Sequence, residues 1–276
     1  MNRRQRRPVD PRVYAALRAV QPTATQRSLI RGYLPDLVAE HHGRQQTVDS
    51  LVMALVVLAR PKPGDRLLVP CCGAGEFLPR LVATGATVVA LEGAYLLARA
   101  ARALHPTVRV LHLDMVDAWY WADEHAAQRD GLDVLAGGFD LIVGALPTSD
   151  IVLPPSGNVG LDLSNRPTAL PLGAEVPLAA AYLEVALRLL KPGGRAALVL
   201  PGPINGWWTR LNQDSLGPLT LVAEVLLPPG ALVPGRKRAQ PRVWLIRRET
   251  LPGWATRRAK LDCLSGPLDL RRLLTA

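Results

Sequence analysis

Apolar runs of two kinds, short and strand-like or longer with helical spacing, follow one another along this chain and predict its elements. Residues 1–42 carry two helix-like stretches, "VYAALRAV" and "QRSLIRGYLPDLVAEHH", parted by "QPTAT". The run "TVDSLVMALVVLA" predicts a strongly apolar helix with Thr47 at or near its N-cap, ended by "RPKPGD". Strand and helix patterns then alternate: "RLLVP", the helix "EFLPRLVAT", "TVVALE", the helix "AYLLARAARAL", "VRVLHLD" and "FDLIVGA". The last of these predicts a strand from Phe139 to Val143 that enters a small-residue turn at Gly144. The helix "EVPLAAAYLEVALRLL" puts Val176, Ala180, Leu183, Leu187 and Leu190 on one face, "KPGG" stops it, and "RAALVLP" is the next strand. "LVAEVLLPPG" and "PRVWLIRRE", joined by a basic loop without a helix, predict an antiparallel pair at one edge.

Strands separated by helices imply right-handed crossovers, so the expected fold is α/β: a doubly wound, mostly parallel sheet with both faces covered. Three segments are expected: a basic helical extension over 1–42, a Rossmann-like domain over 43–248 and a tail over 249–276. The stretch 146–173, rich in Pro, Gly, Ser and Asn, is too long for a simple connection, which makes it a functional or a disordered loop.

Composition narrows the class. The 276 residues are 49% hydrophobic, enough for a sizeable core. The cysteines Cys71, Cys72 and Cys263 form no CxxC pair, which argues against a disulfide framework or a zinc site and suggests a reduced, cytoplasmic protein. No apolar run approaches a membrane span, and "MNRRQRRPVD" lacks the apolar core of a signal peptide. The 33 Lys and Arg against 23 Asp and Glu give a formal charge of +10, which favours polyanions, nucleic acid above all. The cations cluster at Arg3–Arg7, Arg236–Lys237–Arg238, Arg247–Arg248 and Arg257–Arg258–Lys260; solvated arginines are the plain alternative.

Candidate chemistry lies at the carboxyl ends of the strands, where open α/β sheets bind ligands. In "VPCCGAGEF", Gly73 and Gly75 allow close backbone approach as the chain turns toward a helix, although a glycine pair after a strand also serves as a plain tight turn. Glu92 ends "TVVALE", placed for a carboxylate to accept ribose hydroxyls, and Asp114 ends "VRVLHLD", placed to accept from an adenine amino group. Singly, such acids are more often caps or solvated charges. Three successive strand ends carrying a glycine turn, a Glu and an Asp select a nucleoside site.

The stretch "GRQQTVDSLVMALVVLARPKPGDRLLVPCCGAGEFL" resembles the start of S-adenosylmethionine-dependent adenine-N6 DNA methyltransferases, especially the modification subunits of type I restriction systems. That family reads G-x-F/Y-x-T-P, an apolar helix, then P-x-x-G-D-x-V-x-D-P-A-C-G-S-G-G-F. The likeness runs on through "FDLIVGALP", "YLEVALRLLKPGGRAALVLP" and "EVLLPPGALVPGRKRAQPRVWLIRRE", from Gly43 to Arg248. It implies a class I methyltransferase sheet and a S-adenosylmethionine site lined by Thr47, Pro70, Cys72, Gly73, Gly75, Glu92 and Asp114. The two glycines would lie beside the methionine part, Glu92 on the ribose, Asp114 near the adenine and Thr47 near the carboxylate. The chain departs from the pattern at Val69, where the family has its acidic residue, and at Val48, where it has proline.

The largest departure is at the catalytic turn. Where the family has Asn/Asp-Pro-Pro-aromatic, this chain has Ala145, Leu146, Pro147 and Thr148. In the family that turn accepts from the exocyclic amine of a flipped adenine and stacks on its ring. Removing such a preorganised polar partner costs about a hundred- to a thousandfold in rate. Ser149 and Asp150 are poorly placed to substitute, and Asn158, Asn165 and Arg166 read as loop residues. His112 reads as a core or cofactor-side residue, and Trp119, Tyr120 and Trp121, like Trp207 and Trp208, as packing groups or base-stacking rings. Three functions fit: an impaired methyltransferase relative that binds nucleic acid, DNA above RNA, or scaffolds partner subunits; an active methyltransferase on another acceptor; a purely structural protein partner.

Overall fold

The structure is a computed structural model that describes residues 10–42, 49–116, 135, 137–147, 152–153, 176–200, 202, 205–213, 217–228 and 240–260. In chain order the elements are α1 (Pro11–Arg18), α2 (Ala24–His42), α3 (Asp49–Ala59), β1 (Arg66–Val69), α4 (Leu78–Val82), β2 (Thr87–Glu92), α5 (Tyr95–Leu104), β3 (Arg109–His112), β4 (Phe139–Ala145), β5 (Val152–Leu153), β6 (Val176–Pro177), α6 (Leu178–Leu189), β7 (Leu190–Leu200), α7 (Asn205–Gln213), β8 (Thr220–Leu226), β9 (Arg242–Arg247) and β10 (Arg257–Lys260).

Eight strands form one sheet in the order β10-β8-β9-β7-β4-β1-β2-β3, and β5 and β6 form a small antiparallel pair. Only β9 runs antiparallel to its neighbours, β7 and β8. Alternation along each strand sorts its side chains between two cores. Leu67 and Val69 of β1, with Leu141 and Val143 of β4, face α3 and α4. Leu68 and Ile142 point the other way, against α6 and Leu211 of α7. A third cluster packs α1 and α2 onto α5, where Arg99 also donates to the Leu17 carbonyl at 2.6 Å.

Local chemistry explains the helix starts. Asp10 caps α1 by accepting the Arg12 N–H at 2.8 Å, with Pro11 in the first turn. Thr23 and Gln26 form a reciprocal capping box ahead of α2, the Thr23 N–H donating to Gln26 at 2.8 Å and the Gln26 N–H to Thr23 at 3.2 Å.

The described elements differ from the sequence expectation in several places. "KPGG" does end the helix, but β7 already begins at Leu190, paired with Phe139 across a register shift. The expected antiparallel pair, β8 and β9, does lie on one side of the sheet, and β10 adds to it, pairing in parallel with β8 beyond. The boundary at Arg248 is therefore crossed by the sheet: the segment expected as a tail supplies an edge strand. The helix expected over "EFLPRLVAT" is a single turn and a half, Leu78–Val82. No described helix is long and apolar enough to cross a membrane.

Candidate functional site

The order of strands reverses between β1 and β4, so the crevice at their carboxyl ends is the expected ligand position of a doubly wound sheet. The end of β4 and the loop after β1 nearly touch: a Cβ on Gly144 would stand 3.0 Å from the Pro70 carbonyl oxygen. Gly144, expected to turn the chain, instead sits inside β4 and permits this approach.

The β1 loop is held by β2. The Cys72 N–H donates to the Leu91 carbonyl at 2.8 Å, and the Gly73 N–H donates to Glu92 Oε2 at 2.8 Å. The other Glu92 oxygen accepts the Ala94 N–H at 2.8 Å, so the carboxylate is fixed at both ends while 3% exposed. Gly73 and Gly75 have φ of 60° and 100°, conformations that glycine takes without strain. Gly75 also lies against His105, whose ring carbon would be 2.5 Å from an added Cβ. Burial lowers the His105 pKa, favouring the neutral ring.

Asp114, two residues past the end of β3, accepts the Val116 N–H at 2.8 Å on one oxygen and the Tyr182 hydroxyl on the other. Tyr182 belongs to α6 and is 5% exposed. Its hydroxyl also meets Cys71, whose backbone is left-handed at φ 51°. Burial pushes the Tyr182 phenol and the Cys71 thiol well up, so both keep their protons at neutral pH. His112 is exposed rather than in the core; its Nε2 lies 3.1 Å from the Gly93 carbonyl, and its ring meets Tyr95 edge-on at 5.3 Å.

The structure thus brings Pro70, Cys72, Gly73, Gly75, Glu92 and Asp114 to one end of the sheet. Thr47, Thr148, Ser149, Asp150, Asn158, Asn165, Arg166, the Trp119–Trp121 cluster and Arg236, Lys237 and Arg238 lie outside the described residues. Sequence reading missed Tyr182, a lone phenol in a mostly apolar helix that no periodicity marks as a site residue. It also passed over Glu76, which lies in the glycine loop itself.

The supposed catalytic turn is no turn at Ala145 or Leu146. Ala145 is still part of β4, 8% exposed and packed with the α3 core. Leu146 donates its N–H to the Val199 carbonyl of β7 at 2.9 Å and buries its side chain completely on the α6 side. A cavity of about 370 Å³ opens at the other end of the sheet, between Leu141, Arg195 and Trp254, away from this crevice.

No family model and no curated protein matches the chain. Solved structures do. A Listeria monocytogenes protein described as a class I S-adenosylmethionine-dependent methyltransferase matches with a TM-score of 0.65 at 17% identity, over 94% of this chain and 79% of that one. The fold is that of the class I methyltransferases. A Vibrio vulnificus protein described as a type I restriction enzyme modification subunit matches with a TM-score of 0.59 at 20% identity, over 84% of this chain and 50% of that one. The methyltransferase subunit of a type I restriction-modification system from Streptococcus thermophilus gives 0.61 at 15% identity, over 86% and 52%. The chain therefore spans about half the length of these two subunits.

Proposed function

We propose that this protein descends from adenine-N6 DNA methyltransferases, keeps their S-adenosylmethionine crevice and has lost the grip on the target base. Its remaining role is that of a nucleic-acid-binding or scaffolding subunit, DNA and partner proteins being its partner classes. The residues present suit the cofactor. Glu92, held by two backbone donors, sets its carboxylate at the carboxyl end of β2, where ribose hydroxyls would donate to it, and Asp114, oriented by Val116 and Tyr182, lies past the end of β3 for the adenine amine. When bound, S-adenosylmethionine supplies an electrophilic methyl group.

The observation that carries the impairment is the state of Ala145 and Leu146. An adenine exocyclic amine is a poor nucleophile, because its lone pair is delocalised into the ring, and it needs an acceptor to orient it and draw off positive charge. Alkyl side chains packed into the two cores provide none. The type I neighbours add support through fold alone.

Titrating S-adenosylmethionine into the protein, then following tritiated methyl transfer to DNA, RNA and protein, separates the readings. Binding without transfer to DNA adenine is expected. Transfer to RNA or protein would favour an active enzyme with a more nucleophilic acceptor. No cofactor binding together with no DNA binding at low salt would leave a protein-interaction role.

A further inference from the structure

Gly73 lies between two carboxylates. Glu92 takes its N–H, and Glu76 Oε2 folds back over the same loop to 3.2 Å from where a Cβ on Gly73 would stand. Glu76 accepts from the loop's own N–H groups, at Glu76 and Gly75, and joins no ion pair among the described residues. Burial pushes its carboxyl up, and the charge of Glu92 adds to the effect. Two carboxylates this close, one of them buried, repel when both are ionised, and a cation between them would relieve that repulsion. Val69, fully buried at the end of β1, contributes no charge there.

Resting on the cofactor reading above, we propose that Glu76 is the positioning residue for the ammonium group of the bound ligand, the α-amino group of the methionine part of S-adenosylmethionine. Two carboxylates beside Gly73 favour a cation there, and Gly73 lies on the same short loop that Glu92 fixes against the ribose end. A primary ammonium attached to a nucleoside through a short flexible arm meets that preference; a nucleoside without one does not. The carboxylate that the resemblance expects at the end of β1 is thereby supplied seven positions later, from the far side of the glycine turn.

The test compares two ligands on the wild-type protein and on Glu76→Gln by calorimetric titration. S-adenosylhomocysteine carries the ammonium; 5′-methylthioadenosine has the same nucleoside without the amino-acid arm. Glu76→Gln is expected to weaken S-adenosylhomocysteine roughly ten- to a hundredfold, the worth of a charge-assisted hydrogen bond, and to leave 5′-methylthioadenosine within about twofold. Equal loss for both ligands, or no loss for S-adenosylhomocysteine, overturns the proposal. If Glu76→Gln fails to fold, the wild-type protein still decides. Deaminated S-adenosylhomocysteine, which keeps the carboxylate, must bind at least about tenfold more weakly than the parent, and equal affinity overturns the assignment. Binding of neither nucleoside to the wild type refutes the cofactor reading itself, and Glu76 falls with it.

Discussion

Leu146 has two tasks in the fold: its N–H completes the ladder to Val199, and its side chain fills the core under α6. Leu146→Pro, which restores one residue of the family's turn, removes both, and is expected to cost about 3 kcal/mol or more in urea unfolding. Refitting the turn therefore requires repacking as well as new polar groups. Glu76 makes a different prediction. Its carboxyl binds a proton more tightly in the folded state, so stability falls as pH rises from the ordinary value of 4.5 through the raised one, and stays lower above it. The groups around it, Glu92, Cys72 and the half-buried His105 beside Gly75, are unchanged in Glu76→Gln, so the difference between variant and wild type isolates this carboxyl. The ligand-free variant should gain on the wild type in thermal unfolding at pH 7 relative to pH 4. Glu92 and Asp114 were legible in the sequence because strand ends announce themselves. Tyr182 and Glu76 were not, because the one is hidden in a mostly apolar helix and the other is brought over Gly73 only by the left-handed turns of its loop.

At the scale of elements, hydrophobic periodicity located each strand of β1–β4 and the helices between them, since burial on both faces requires the apolar runs it reads. It failed where pairing does not depend on apolar residues. β10 reads "RRAK", half exposed, and joins the sheet by backbone hydrogen bonds along β8. The end of β4 was misread for the opposite reason: small residues at Gly144 and Ala145 suggested a turn, whereas they serve the approach of the Pro70 loop. The outer strands are tied by Glu224 of β8, which accepts from Arg242 and, at 3.1 Å, from Trp244 of β9 and pairs with Arg258 of β10 at 3.4 Å. Glu224→Ala leaves Arg242, itself 9% exposed, without that carboxylate, and a loss of about 3 kcal/mol is expected by denaturant unfolding.

Over the whole molecule, the charge of +10 remains the strongest pointer to a polyanion, but the described cations do not all face solvent unengaged. Arg248 donates to the Arg188 and Leu190 carbonyls, Arg257 stacks at 4.8 Å on Trp254, and Arg258 pairs with Glu224. Clusters at 247–248 and 257–260 thus serve the edge of the sheet as well, a use that charge counting cannot see. If phosphates are the partner, DNA affinity measured by fluorescence anisotropy should fall steeply between about 50 and 200 mM salt, with log K linear in log salt. A flat response would assign the charge to proteins or to solubility. The central claim is a cofactor crevice preserved beside an end of β4 that carries no group to orient adenine. It is tested most directly by incubating the protein, at S-adenosylmethionine concentrations where titration shows it bound, with double-stranded DNA and quantifying N6-methyladenine by mass spectrometry of the digested nucleosides. The prediction is no N6-methyladenine above the protein-free control; its accumulation with time and protein concentration would contradict the account.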